Sequence, residues 1–301
     1  MNVQPTLKQL KYLCAVAKSR HFGQAATDCH ISQSTLSTAI HELEDHLGAV
    51  LIERNNKRVY LTTLGEEVVS RSKDILVNVS DIVSLCHRSE KPFSHELRLG
   101  VIPTIAPYLL PSLLQRMRSE YPYFKLSLKE ELSKPLVENL SNGKLDVLLL
   151  ALPFPTQGTS SIHLFNDDFL FACPQNHPLS QHGSVRVKDL DNQKLLLLED
   201  GHCLRDHALE ACKLDSNNLS VPFQASSLNT LVQMVANGMG VTLLPRMAIE
   251  GHLVNDIPVT IKPFQEKNIT RSVGLIWRNT SPRKEEIELL GRLLRQLWGN
   301  N

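Results

Sequence analysis

The chain has 301 residues, 42% of them hydrophobic, and a formal net charge of +1; this length suits a small domain joined to a large one, and this composition can form their cores. The longest apolar run, VLLLAL at residues 147–152, falls far short of the roughly 20 residues that span a bilayer, and the N-terminus has no secretory apolar segment, so a cytoplasmic protein with no membrane partner is expected. Six scattered cysteines are no secreted disulfide framework, and in a reducing cytosol any disulfide would be transient and sensory. The near-neutral total excludes a globally basic protein but hides a local excess. Residues 1–65 hold seven Lys and Arg against five Asp and Glu, with Arg54, Lys57 and Arg58 bunched together, a weak hint of nucleic acid.

In chain order, FGQAATDCHISQSTLSTAIHELEDHLG at residues 22–48 splits into two helices with a very short connection at HIS. The first runs from about Gly23 to Cys29. The second starts at Ser32, whose hydroxyl caps free amides, and carries Leu36, Ile40, Leu43 and Leu47 at helical spacing as one buried stripe. Its other face presents Gln33, Ser34, Ser37, Thr38 and His41. Short or uncharged donors and acceptors suit close approach to base edges in a major groove, whereas a merely solvated helix would show more Lys and Glu. With Ser32 and Thr35 these are the residues expected at double-stranded DNA. Next, VLIERNNKRVYLTTLG at residues 50–65 reads as a β-hairpin with NNK at its tip. Helix, turn, helix and basic wing make a winged DNA-binding module, in which Arg54, Lys57 and Arg58 meet phosphates or the minor groove and position the protein without specifying sequence.

The run AATDCHISQSTLSTAIHELEDHLGAVLIER resembles the signature of the LysR-type transcriptional regulators, in register at the paired Ala, Ser-Gln, Leu-Ser, Ile, Leu-Glu and Leu-Gly. Cys29 stands where a leucine is common and Ile52 where a phenylalanine is common; both are apolar replacements in core positions. From Thr62 to about Glu90 there is no proline, and Val68, Ile75 and Ile82 fill one heptad position while Ser72, Val79 and Cys86 fill the other. That pattern predicts a dimerising helix, and two modules so joined would address two symmetry-related half-sites. Lys91-Pro92 ends it. The expected domains are therefore a winged helix-turn-helix at 1–62, a linker helix at 63–91 and a regulatory domain at 92–301.

From residue 93 onward short β-rich runs alternate with helical stretches, which predicts an α/β fold with mostly parallel sheets. Strands are expected at 96–102, 124–130, 145–151, 168–173, 195–199, 221–225, 241–244 and 271–277, and helices near 107–120, 134–142, 204–213, 227–238 and 283–298. LysR-type effector domains resemble periplasmic binding proteins, which implies two subdomains around a cleft, with the chain crossing near residues 165 and 267. Subdomain I would comprise 92–165 and 267–301, and subdomain II 166–266. Ligands in such folds sit beyond the C-terminal ends of strands, at helix N-termini. Pro103-Thr104, Ser133 and Gly201 to Arg205 occupy such loops, although each alone is equally an ordinary helix cap.

The segment EDGHCLRDHALEAC, residues 199–212, sets two thiols nine positions apart, the first between His202 and Arg205. A protonated imidazole or a guanidinium favours the thiolate, the form that attacks peroxide. LRDHALEACK is made of good helix formers. On one unbroken helix the two Cα atoms would stand about 13 Å apart with side chains pointing oppositely, beyond the roughly 7 Å a disulfide allows. Oxidation must then refold the segment, so the bond and the reduced fold exclude each other, as a two-state sensor requires. The alternative is a pair of buried small hydrophobes, as most free cysteines are.

GVIPTIAPYLLP, SNGKLDVLLLAL, LLLLEDGHCLRD, ASSLNTLV and GVTLLP extend the resemblance to one branch of the family, the OxyR-type hydrogen peroxide sensors. By that resemblance Cys203 is the peroxide-reactive thiol and Cys212 the resolving one. Thr104, Ser133, His202, Arg205 and Arg271 would bind or orient peroxide, and Asp206 would help hold Arg205. Cys14, Cys29, Cys86 and Cys173 lie in apolar stretches and read as structural. The implied partners are DNA, hydrogen peroxide, further copies of the chain as a dimer assembling to a tetramer, RNA polymerase and a cellular dithiol reductant. No cofactor is expected, and the protein would be a regulator rather than an enzyme. Three rivals stand beside this reading. One is a LysR-type regulator answering a small-metabolite co-inducer, and another is a thiol peroxidase, which leaves the DNA-binding module unexplained. The third is a metal site from His202, Cys203, His207 and Cys212, disfavoured because the spacing matches no common zinc pattern.

Overall fold

A computed structural model describes residues 4–55, 58–86, 92–191, 193–213 and 224–298, and the chain divides into two compact units, residues 1–88 and 89–301. In the first unit the elements are α1 (Leu7–Ser19), α2 (Phe22–Asp28), α3 (Gln33–Leu47), β1 (Ile52–Asn55), β2 (Arg58–Leu61) and α4 (Thr63–Cys86). Helix α1 was not among the expected elements, yet its start is written in a capping box between Thr6 and Gln9. Leu13, Val16, Ala25, Leu36, Ile40, Leu43 and Leu51 are fully buried together, each large aliphatic side chain contributing about 1.5–3 kcal/mol. Ser32 accepts the Thr35 N–H and so starts α3, and Gly48 ends it in the left-handed region. Leu47, expected in the buried stripe, is 40% exposed instead, because the chain turns away at Gly48 and Leu51 fills the core beyond it. Strands β1 and β2 pair antiparallel. Lys57 at the hairpin tip, the side chains of Arg54 and Arg58, and the expected helical residues 87–91 lie outside the described residues.

Along α4, Ser72 is buried, while Ile75 and Ile82 stand 43% and 59% exposed. Cys86, expected in apolar surroundings, is exposed on the last turn, where no described residue covers it; Cys14 and Cys29 are half-buried and Cys173 is buried.

The second unit contains β3 (Leu97–Val101), α5 (Ala106–Glu120), β4 (Leu126–Glu130), α6 (Ser133–Ser141), β5 (Val147–Leu152), β6 (Thr159–Pro174), β7 (Leu197–Leu198), α7 (Cys203–Ala211), β8 (Gln224–Ala225), α8 (Leu228–Ala236), β9 (Thr242–Pro245), α9 (Arg246–Glu250), β10 (Val259–Lys262), β11 (Thr270–Arg278) and α10 (Lys284–Trp298). The main sheet runs β10-β6-β11-β5-β3-β4, with β9 also on β6. It is mixed rather than mostly parallel. β3 pairs in parallel with β4 and β5, but β11 runs antiparallel to β5 and β6, and β6 antiparallel to β9 and β10. The cause lies in β6 and β11, which carry the chain in opposite directions between two hydrophobic cores and therefore meet head to tail. The strand expected from 168 begins at Thr159, because its first half alternates polar and apolar residues and lacks a continuous apolar run. Strand β10 and helix α9 were not expected at all. Of the strand expected at 221–225, residues 221–223 lie outside the described residues. One core gathers β3, β5 and helices α5, α6 and α10; the other gathers Phe169, Phe171, β7, β9 and α8.

Candidate functional site

Helix α7 is unbroken from Cys203 to Ala211, with His202 as its N-cap residue and Cys212 as its C-cap residue. Nine residues of helical rise place the two Cα atoms about 13 Å apart. Both thiols are free and buried, at 8% and 2% exposure. They belong to different cores: Cys203 packs with the cluster of β3, β5 and α5, Cys212 with that of β7, β9 and α8. A bond between them requires extracting at least one from its core and unwinding the helix between them. Immediately upstream, Gly201 holds φ +99, a conformation that L side chains rarely adopt, and a Cβ there would meet Leu132 Cδ1 at 3.3 Å. The loop before Cys203 is thereby pressed against the residue that precedes Ser133.

Ser133, Thr104 and Arg271 lie on or beside elements that build the core holding Cys203. Ser133, the first residue of α6, is 2% exposed, and its Oγ has no hydrogen-bond partner among the described residues. A buried hydroxyl left so costs about 1–3 kcal/mol and can serve an incoming oxygen as donor or acceptor. Thr104, 3% exposed, accepts from Arg271 twice: Nη1 donates to its Oγ1 at 2.9 Å and Nη2 to its carbonyl at 3.0 Å. Arg271 is 1% exposed, and its Nε donates to Asp167 Oδ2 at 3.0 Å. The other oxygen of Asp167 accepts the Met247 N–H at 3.0 Å. These residues tie the two cores at the crossing strands, since Arg271 and Asp167 are register partners on β11 and β6. Helix α7 itself packs against β11. Asp167 lay outside the strand expected at 168–173, whereas β6 runs from Thr159 to Pro174. The available signal was an acidic pair inside LFNDDFLF, opposite an arginine in an apolar strand.

Two expectations change. Burial lowers the His202 imidazole below the ordinary histidine range, outweighing the Glu199 carboxylate and a hydrogen bond to the Ser226 backbone. It is therefore uncharged at neutral pH and is not the imidazolium expected beside the thiol. Arg205 takes Asp200 as its carboxylate partner, not Asp206, which is exposed on the first turn of α7. The Cys212 thiol is pushed up to about 12 by burial and, secondarily, by the Glu266 carboxylate, so it stays protonated in this fold. His207, one turn below Cys203, is lowered by burial and by the Arg271 charge, and hydrogen-bonds the Pro153 carbonyl. No group of three or more His, Cys, Asp or Glu side chains among the described residues gathers as metal ligands.

In the first unit the face of α3 expected at DNA is open. Ser32, Gln33, Ser34, Thr35, Thr38 and His41 are exposed and Ser37 is half-buried. Ser32 Oγ also lies 2.9 Å from Ser34 Oγ and 2.8 Å from Thr35 Oγ1, so the first turn presents a linked row of hydroxyls.

A helix-turn-helix unit with a two-stranded wing, followed by an α/β unit with two cores joined at crossing strands, defines the class of one-chain DNA-binding regulators. Residues 7–66 match the model of the bacterial regulatory helix-turn-helix proteins of the lysR family, and residues 90–299 match that of the LysR substrate binding domain. The chain belongs to the LysR family. It is 37% identical to the DNA-binding transcriptional dual regulator OxyR of Escherichia coli K12, over 96% of this chain and 94% of that one. It is also 38% identical to the HTH-type transcriptional regulator EstR of Acinetobacter baylyi, over 99% and 98%. Among solved structures it is similar to a full-length OxyR variant from Pseudomonas aeruginosa, with TM-score 0.76, 34% identity and coverage of 97% and 95%. It is likewise similar to a hydrogen peroxide-bound OxyR variant from Corynebacterium glutamicum, with TM-score 0.68, 33% identity and coverage of 100% and 94%. No helix among the described residues is long and apolar enough to cross a membrane.

Proposed function

We propose that this chain is a transcriptional regulator that senses hydrogen peroxide through a reversible Cys203–Cys212 disulfide. The supporting observation is that one continuous helix holds the two thiols in separate cores. The Cys203 sulfur attacks one peroxide oxygen; an S–O bond forms, the O–O bond breaks, and the departing hydroxide takes a proton to become water. Thr104, Ser133 and Arg271 orient the peroxide and stabilise the charge that develops on the leaving oxygen, with His202 as a neutral hydrogen-bonding neighbour and Arg205 and Asp206 on the rim. The Cys203 sulfenic acid, bulkier and more polar than the thiol, fits its apolar core poorly. Once α7 unwinds, Cys212 displaces water from it to form the disulfide, and a dithiol reductant resets the switch.

The division of labour follows the chain: residues 1–62 bind DNA, 63–91 dimerise and 92–301 sense. Ser32, Gln33, Ser34, Thr35, Ser37, Thr38 and His41 meet base edges, and Arg54, Lys57 and Arg58 meet the phosphates. Exposed Ile75 and Ile82 on α4 form the seam of a dimer that pairs into a tetramer, whose rearrangement alters contact with RNA polymerase. A second reading, a small-metabolite co-inducer, draws on a cavity of ≈ 430 Å³ lined by residues that include Leu152, Phe154, Thr159 and Ser272, none of them near-neighbours of Cys203 in sequence. One experiment separates the two: mass spectrometry after a peroxide pulse, with promoter activation in the Cys203→Ser variant. A Cys203–Cys212 bridge in wild type and a silent variant are expected, whereas a variant that still activates on peroxide refutes the assignment.

A further inference from the structure

One half-buried titratable group near Cys203 is left unused by this mechanism. His207 follows Cys203 by four residues on α7, so the two side chains share a face about 5–6 Å apart at Cβ. The imidazole donates to the Pro153 carbonyl beyond β5. Its Nδ1 is fully buried and has no hydrogen-bond partner among the described residues, the Cys203 thiol included, so a proton transfer between them draws on the closer approach that catalytic pairs reach once substrate is bound. A histidine that donates from Nε2 carries a lone pair on Nδ1, so a buried proton acceptor lies one helical turn from the thiol that must lose a proton. We infer that His207 is a catalytic base: its Nδ1 takes the proton of the Cys203 thiol as sulfur attacks peroxide and returns it to the departing hydroxide.

The atoms balance without a further reactant. The S–H proton moves to Nδ1, the sulfur forms an S–O bond as the O–O bond breaks, and the imidazolium protonates the hydroxide to water. Sulfur loses two electrons, peroxide gains them, and His207 ends as it began. The charges around the ring suit both halves of the cycle. Arg271 on β11, with its counter-ion Asp167 on β6, disfavours a standing imidazolium, while Glu210 and Asp206 on α7 and the Pro153 carbonyl favour a transient one; burial and Arg271 prevail, and the resting ring is neutral. An imidazolium formed there is acidic and yields its proton readily.

This inference rests on Cys203 being the reactive thiol, so Cys203→Ser is assayed in parallel; sulfenic acid formation persisting in that variant defeats the underlying assignment, separately from the role of His207. The test proper is stopped-flow oxidation of the full-length reduced protein by hydrogen peroxide, wild type against His207→Gln. Glutamine keeps a donor for the Pro153 carbonyl and a similar volume but cannot carry a proton. A rate about 100-fold lower at pH 7 is expected, with unchanged melting temperature and DNA binding. An equal rate with the same pH profile overturns the inference. The wild-type profile supplies an independent check that needs no variant: the rate constant must fall at acid pH, below the ordinary histidine range, as the base is titrated, and a flat acid limb overturns the inference.

Discussion

At the N-terminal end of α7, Cys203 packs into the core of β3, β5 and α5, and the proposed function sets beside it the Ser133 hydroxyl, the Thr104–Arg271–Asp167 chain and His207. At the other end Cys212 stands among apolar side chains, with a carboxylate and not a cation as its charged neighbour. On the proposed mechanism the same functional group reacts at one place and is held back at the other. The difference orders the events, because the second thiol ionises and reaches the first only after the helix that separates them gives way.

The most damaging change to the reactive end removes the counter-ion of Arg271. Asp167→Ala strands a guanidinium that is 1% exposed, and denaturant unfolding should show a loss of about 3–5 kcal/mol. Pairing it with Arg271→Met should recover much of that loss, since a buried ion pair is replaceable by packed apolar groups. At the inert end, a thiol raised from 9.0 to about 12 holds about a thousandfold less thiolate. Iodoacetamide should therefore modify Cys212 in the reduced protein about a thousandfold more slowly than in urea, followed by mass spectrometry; comparable rates would abolish the contrast between the two ends.

Gly201→Ala tests the loop that launches α7. Its positive φ and its approach to Leu132 cost an alanine about 1 kcal/mol, lowering the melting temperature of the reduced state and letting the disulfide form faster after peroxide. The smallest effect is on pH. His202 and His207 are both lowered by burial, so the unfolded chain binds more protons than the folded one just below pH 6.5. Their stabilisation is complete above that pH and is lost as pH falls below it. Chemical denaturation at pH 7.5, 6.5 and 5.5 should show stability declining only at the acid end, with a shallower decline in His207→Gln.

Much of the first unit was legible because its signals are local. A Ser cap, a 3.6-residue apolar stripe and a hairpin flanked by basic residues act within a few positions of one another, while α1 and the exposure of Leu47 and Cys86 departed from that reading. In the second unit the thiol pair, Thr104, Ser133 and Arg271 could be named from sequence. The charge state of His202 and the partner of Arg205 could not. Desolvation depends on which distant segments cover a ring, and Asp200 competes with Asp206 only through the path the Gly201 turn imposes.

By itself the sequence determined the family signature, the nine-residue interval between the thiols and the helix-forming residues between them, since these depend on near neighbours along the chain. Tertiary structure alone decided that Asp167 meets Arg271 across 104 positions, that the crossing strands run antiparallel, and that the two sulfurs are held in different cores. Those outcomes follow from which surfaces are buried together, and burial is a property of the whole fold.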